Sequence, residues 1–292
     1  MLKFLLIYNY INQYMFTAIF STIMESFAMI FWKKSLRFWV WTKLHDLLGY
    51  PIWWVLVLYF LCVWIDFWQI DLTIFFWTFL IIILHTIISQ LNQKIYKEEK
   101  LSLLLPYKNI SKIIVIIIWY FIFSDVSFTS LVITLIAIVV MILFSIDYKT
   151  LKLPRNMALV VLSESLLACC VILTWWLLFW YSEMLHFILY FVTWLVLLLT
   201  ITFLTWQLQT VGSIPKQFYF NRELWWMWWV SWFLSLMVIK NLWLSITILL
   251  SFIWIWITLL LSFIILNDKP SKKDLMLTFI ITSLIWLWFY FK

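Results

Sequence analysis

Ten apolar runs, each close to the ~20 residues that a helix needs to cross a bilayer, follow one another with only short polar connections between them. They cover residues 12–32, 47–66, 72–92, 101–123, 127–146, 157–180, 185–206, 223–240, 243–266 and 274–291. A chain built this way reads as an all-α polytopic membrane protein. The charge content supports this. Only 11% of the 292 residues are charged and 66% are apolar, whereas ordinary globular domains carry about 25% charged residues. A soluble surface of this size cannot be made from 20 basic and 13 acidic side chains. No soluble domain stands apart from the runs. The N-terminal run lacks a small-residue cleavage site and reads as the first span.

The basic residues set the expected topology. Connections after the first, third, fifth, seventh and ninth spans hold Lys33, Lys34, Arg37 and Lys43, then Lys94, Lys97 and Lys100, then Lys149, Lys152 and Arg155, then Lys216 and Arg222, then Lys269, Lys272 and Lys273. The opposite side holds Lys3, Lys240 and Lys292. This alternation predicts that the first set lies in the cytoplasm and that both termini face outward. The net charge of +7 thus reflects membrane anchors, and no nucleic-acid partner is expected. The expected setting is the plasma membrane, crossed many times. The longest connection, Gln207 to Arg222, contains Gly212 and Pro215 as ordinary loop punctuation.

Tryptophan and glycine are out of proportion. There are 24 Trp and 2 Gly, and ten residues, LWWMWWVSWF from Leu224, hold five of the Trp. Glycine normally makes up about 7% of a chain, and membrane helices use more of it, because small residues let helices approach. Trp and Gly together restore an ordinary glycine content. Some bacterial lineages read UGA as glycine, and we expect most of these tryptophans to be glycines in the natural protein. Interfacial aromatic belts account for Trp53 or Trp68 near span ends. They do not account for Trp119, Trp175, Trp194 or Trp254 deep inside spans.

The chain reads as duplicated. FIFSDVSFTSLVITLIAIVVMILF from Phe121 and FIILNDKPSKKDLMLTFIITSLIWLWF from Phe263 each give a helix end, a polar residue and Asp, a Ser-bearing turn and another helix. Asp125 and Asp268 lie half a chain apart. Two five-span halves, 1–147 and 148–292, must insert in opposite senses, and inverted repeats of this kind mark secondary transporters. With Pro106 in LLLPYKNIS, the acidic steps Ser124-Asp125 and Asn267-Asp268, and Trp288 at a family glycine position in LIWLWFYF, the chain resembles the drug/metabolite transporter superfamily, EamA-like branch. The resemblance implies ten transmembrane helices as two inverted five-helix repeats. It also implies a secondary active transporter, an exporter of a small metabolite driven by protons or ions, working by alternating access. The family has Gly-Glu at the acidic steps and a proline in the ninth span, both missing here. It also keeps both termini in the cytoplasm, against the charge count.

Ionisable residues inside a span are costly and mark function by default. Glu25, in STIMESFAMIF, and Glu164, in VVLSESLLACC, each sit in the first span of a half and are each followed by Ser. Both lie eight or nine residues from a basic anchor, Lys33 or Arg155, so they are expected at matching depth, sharing a central cavity and exchanging protons with substrate. The Glu25 spacing also resembles the small multidrug-resistance branch, where a first-helix Glu binds protons and cationic substrate in turn. Lys108, beside Pro106, either balances a Glu or, nearer the cytoplasmic end, snorkels with Lys112; the second is the expectation. Asn109 either binds substrate or satisfies backbone freed by Pro106. His85 and Gln90 read as hydrogen-bonding between helices, with His85 also a candidate at the site. Asp125 and Asp268 are expected to cap the helices that follow them.

Cys62, Cys169 and Cys170 form no C-x-x-C or Cys/His cluster and read as apolar filling. No metal site and no cofactor are expected. An intramembrane enzyme is the weakest reading: IDYKTLKLP around Asp147 resembles part of a prepilin-peptidase motif, but the second Asp setting is missing, and no P-loop or H-E-x-x-H occurs. The expectation is therefore not an enzyme. A non-transporting membrane scaffold is the other alternative. The expected partners are a small-molecule substrate and the lipid bilayer, with a homodimer left open.

Overall fold

The computed structural model describes residues 2–36, 71–123, 127–145, 156–204, 226–241 and 244–291. All regular structure among them is helical. In chain order the helices are α1 (Leu2–Ser35), α2 (Leu72–Glu98), α3 (Leu101–Leu104), a 3-10 segment (Leu105–Asn109), α4 (Ile110–Phe123), α5 (Phe128–Ser145), α6 (Met157–Trp180), α7 (Glu183–Leu204), α8 (Trp226–Asn241), α9 (Leu244–Leu266) and α10 (Lys272–Phe291). Among the described residues, five stretches are long and apolar enough to cross a membrane: Tyr14–Ser35, Leu72–Glu98, Leu101–Ile118, Met157–Trp180 and Glu183–Leu204. Shorter apolar helical stretches run over Leu131–Phe144, Met227–Val238 and Ile253–Leu266. The chain is a helical membrane protein. The expected span at 47–66, the connection with Gly212 and Pro215, and Cys62, Asp125 and Asp147 lie outside the described residues.

Short polar side chains start these helices. Before α2, Asp71 Oδ1 accepts the Ile74 amide at 2.8 Å. Before α7, Ser182 Oγ accepts the Leu185 amide at 3.1 Å. Before α10, Ser271 and Asp274 form a capping box: the Asp274 amide donates to Ser271 Oγ at 3.1 Å and the Ser271 amide to Asp274 Oδ2 at 3.0 Å. α9 ends where Asn267 takes a left-handed φ of 54°. That conformation favours Gly and tolerates Asn, and it turns the Asp268 amide back onto the Ser262 carbonyl at 3.2 Å.

Asp268 does not cap the helix that follows, as expected from sequence. The capping box already serves α10. Asp268 instead reaches the start of α3, accepting the Ser102 amide at 3.0 Å and the Ser102 hydroxyl at 3.0 Å.

The helices gather into two compact units, the first drawing on 1–83 and 173–247, the second on 84–172 and 248–292. Each therefore takes chain from both halves of the sequence. In the first unit α1 packs closely on α8. Ala18, Ser21, Thr22, Ser26 and Ala28 are among the small buried residues of α1. Ser21 Oγ lies 2.8 Å from the Ser231 carbonyl, 3.1 Å from Ser231 Oγ and 2.8 Å from Ser235 Oγ. Lipid gives apolar helices no hydrophobic reason to associate, so close packing and such hydrogen bonds carry the contact, each bond contributing roughly 0.6 kcal/mol. Also in the first unit, the Tyr181 hydroxyl donates to both Asp71 oxygens, at 2.9 and 2.8 Å. The Ile74 amide, then Tyr181, hold the Asp71 carboxyl below its ordinary range.

α7 and α8 also enclose an aromatic cluster. Trp229 is wholly buried, its ring centroid 4.8 Å from Phe191, 5.3 Å from Trp194 and 6.0 Å from Trp232. Trp194 is buried here and Trp254 in the second unit, away from the helix ends where a belt would sit. Trp180, by contrast, is exposed at the last residue of α6. The side chains of Trp119 and Trp288 lie outside the described residues.

In the second unit α5 packs along α10, with Thr134 and Ala137 buried on one and Leu277, Thr278 and Ile281 on the other. Asn156 Nδ2, at the start of α6, donates to Glu98 Oε2 at 3.0 Å and Glu99 Oε1 at 2.8 Å. With Asp268 on Ser102, these bonds bring together chain from after the third, fifth and ninth expected spans. Those are connections that the charge alternation assigns to one side.

Candidate functional site

Pro106 shapes the site. It has no N–H, so an α-helix through it leaves the carbonyl four residues back unmet. The chain here tightens into the 3-10 segment Leu105–Asn109, between α3 and α4. Such an interruption in mid-helix often marks a functional position. All five residues of the segment are buried, so Lys108 is carried into the interior.

Lys108 is only 7% exposed and Glu164, on α6, is 0% exposed. The Lys108 ammonium donates to Glu164 Oε1 at 2.6 Å and to Asn92 Oδ1, on α2, at 3.2 Å. Ser163 Oγ donates to the same Asn92 oxygen at 2.9 Å. The ammonium also lies 5.2 Å from the centre of the Tyr96 ring. Lys108 therefore does not snorkel with Lys112: it is the counter-ion of Glu164. Lys112 is half-buried, its ammonium 5.2 Å from the Trp254 ring.

The backbone explains Asn109. Its Nδ2 donates to the Pro106 carbonyl at 3.2 Å, which satisfies the interrupted turn, and Ser111 Oγ does the same for the Lys108 carbonyl at 3.2 Å. At this site Asn109 Oδ1 and Glu164 Oε2 are buried with no hydrogen-bond partner among the described residues. Buried polar atoms are nearly always paired. A carboxylate oxygen beside a buried ammonium is thus an acceptor that a proton, a water or a donor group of a ligand can engage.

The other sequence candidates are placed differently. Glu25 is half-buried on α1 in the first unit, whereas Glu164 belongs to the second. His85 is half-buried on α2, two helical turns before Asn92. Gln90 is exposed. Cys170 is buried and Cys169 exposed on α6, both as free thiols. Sequence reasoning missed Asn92, Ser163 and Tyr96. The signal for Asn92 and Tyr96 was periodic: His85, Ser89, Asn92 and Tyr96 recur at three- and four-residue spacing, a polar stripe along one face of an apolar helix. It also missed His186, fully buried on α7 with Nδ1 3.4 Å from Thr78 Oγ1.

No protein family matches the chain in sequence, and no curated protein matches it.

Proposed function

We propose that the chain is a secondary active transporter of the EamA-like drug/metabolite type, in the plasma membrane. In this reading the halves 1–147 and 148–292 are inverted five-helix repeats. They move a small polar metabolite, in the export direction, by alternating access driven by protons or ions. The observation that carries the reading is the Lys108–Glu164 pair, buried on apolar helices with one carboxylate oxygen unpaired. Ionisable groups inside a membrane are expensive, and proton relays and ion pathways are where they recur. The left-handed φ of Asn267 lends support, because it falls at the step where the family carries glycine.

The pair carries no net charge, and this limits its chemistry. A proton arriving at Glu164 leaves the Lys108 ammonium uncompensated, and a second charge movement must restore the balance. That coupling is what a gradient-driven carrier needs. Glu25 is the second carboxylate of this reading.

The test is transport in sealed vesicles under an imposed pH gradient, with labelled amino acids, amines and organic acids as probes. The intact protein moves at least one class against its gradient, and Glu164→Gln abolishes the pH-driven part. Glu25→Gln weakens coupling. Undiminished pH-driven transport by the double Gln variant removes both carboxylates from the mechanism, and no transport of any probe favours a membrane scaffold.

A further inference from the structure

The second unit holds a cavity of about 90 Å³. Glu99, Asn156, Lys273 and Asp274 supply its polar lining, and Leu104, Tyr107, Met157 and Val160 are among its inner walls. Two helix faces run from this lining to the ion pair. On α6, Met157, Val160 and Glu164 follow at three- and four-residue spacing. On α2, Asn92 and Tyr96 stand four residues apart, and Glu99, just past the helix end, follows three residues on. Residues so spaced stand one above another on a helix, and one turn is about 5.4 Å. Tyr107, in the wall, directly precedes Lys108. The polar end belongs to connections rich in lysine, with Lys94, Lys97, Lys100, Lys269, Lys272 and Lys273, which is the cytoplasmic side by the positive-inside rule.

We propose that this cavity is the one-sided route by which water and protons reach the Lys108–Glu164 pair from the cytoplasmic face. A water needs at least ~10–15 Å³ of such space, so the cavity holds a short file of them. The cavity's lining stops at Val160 and Tyr107, about one helical turn short of Glu164, and the route is completed when a water enters that gap and meets the unpaired Glu164 Oε2. There a hydrated proton passes to the carboxylate, giving the neutral acid and a water, while Lys108 keeps its proton. The groups that set the field along the path are Lys108 and Tyr96 at the pair, His85 farther along the α2 face, and Glu98, Glu99, Lys273 and Asp274 at the entrance. The use of the route for coupling rests on the transport reading, whereas the route itself is read by labelling alone.

Single cysteines at Met157 and Val160, in a chain with Cys62, Cys169 and Cys170 replaced by Ala, are treated with a charged, membrane-impermeant thiosulfonate on vesicles of each orientation. Both Met157→Cys and Val160→Cys react from the cytoplasmic face and neither from the other. Leu162→Cys, on the exposed flank of α6, reacts from neither. Leu104→Cys on the opposite wall repeats the measurement if Val160→Cys does not fold. Reaction at Met157→Cys without Val160→Cys and Leu104→Cys, reaction from the opposite face, or none at all overturns the route. A labelled Val160→Cys protein loses pH-driven transport to the level of Glu164→Gln; full transport after labelling overturns the proton path.

Discussion

Replacing Glu164 with Leu leaves the Lys108 ammonium in a site built for a pair. At 2.6 Å and an effective dielectric of about 20, the attraction between the two charges is ~6 kcal/mol. Desolvating each ion costs several kcal/mol, and the unpaired Oε2 adds to that cost, so the pair contributes little net stability. The consequence is asymmetric. Glu164→Leu or Lys108→Met alone destabilises by about 3–5 kcal/mol, whereas the double variant is near neutral or up to about 4 kcal/mol more stable. Equilibrium unfolding in mixed micelles titrated with dodecyl sulfate, followed by circular dichroism, gives the four corners of the cycle. The coupling energy, the two single costs less that of the double variant, is then at least about 6 kcal/mol. Single costs under about 1 kcal/mol, or a double variant as poor as the sum of the two singles, would mean that the charges reach water and that the burial argument is wrong.

Peptide mass spectrometry of the protein from its own host is expected to show glycine at Trp194, Trp229 and Trp254; tryptophan there sinks the recoding idea. Ser21→Leu overpacks the α1–α8 contact and costs about 1–3 kcal/mol, read in the same unfolding assay, while Ser21→Ala costs much less. Asp268→Ala strips the start of α3 and costs about 1 kcal/mol, whereas Asp274→Ala loosens only the start of α10, seen as faster amide exchange there. Asp71 has a lowered folded-state pKa, so its contribution is complete above the unfolded value near ~3.9 and is lost as pH falls through the folded value. Asp71→Asn flattens this acid limb of the thermal-stability profile, and an unchanged limb rules Asp71 out as its source.

The helices were legible because apolar runs bounded by charges have few other ways to fold in lipid. α6 occupies the expected 157–180, and α9 stops at the expected Leu266. α2 runs on to Glu98, past its expected end at residue 92, because Gln, Lys and Glu are good helix formers and nothing breaks the helix before Glu99. The partnerships were not legible. Ser21 meets Ser231, and Ser102 meets Asp268, across separations that local pattern does not reach. Glu164 stood out as a carboxylate in an apolar run, and Lys108 was noticed beside Pro106. Their meeting depends on the 3-10 segment that turns Lys108 inward, and the presence of a proline does not set that direction.

The 3-10 segment couples winding to charge. Its five residues rise about 2.0 Å each, against about 1.5 Å in an α-helix. Rewinding them as α-helix would shorten this stretch by about 2.5 Å and unscrew α4 relative to α3 by about 100°. Lys108 sits inside the rewound stretch and would sweep off Glu164 as it turned. The screw therefore has two holds, the missing N–H of Pro106 and the seated ammonium of Lys108, and neutralising Glu164 would loosen only the second.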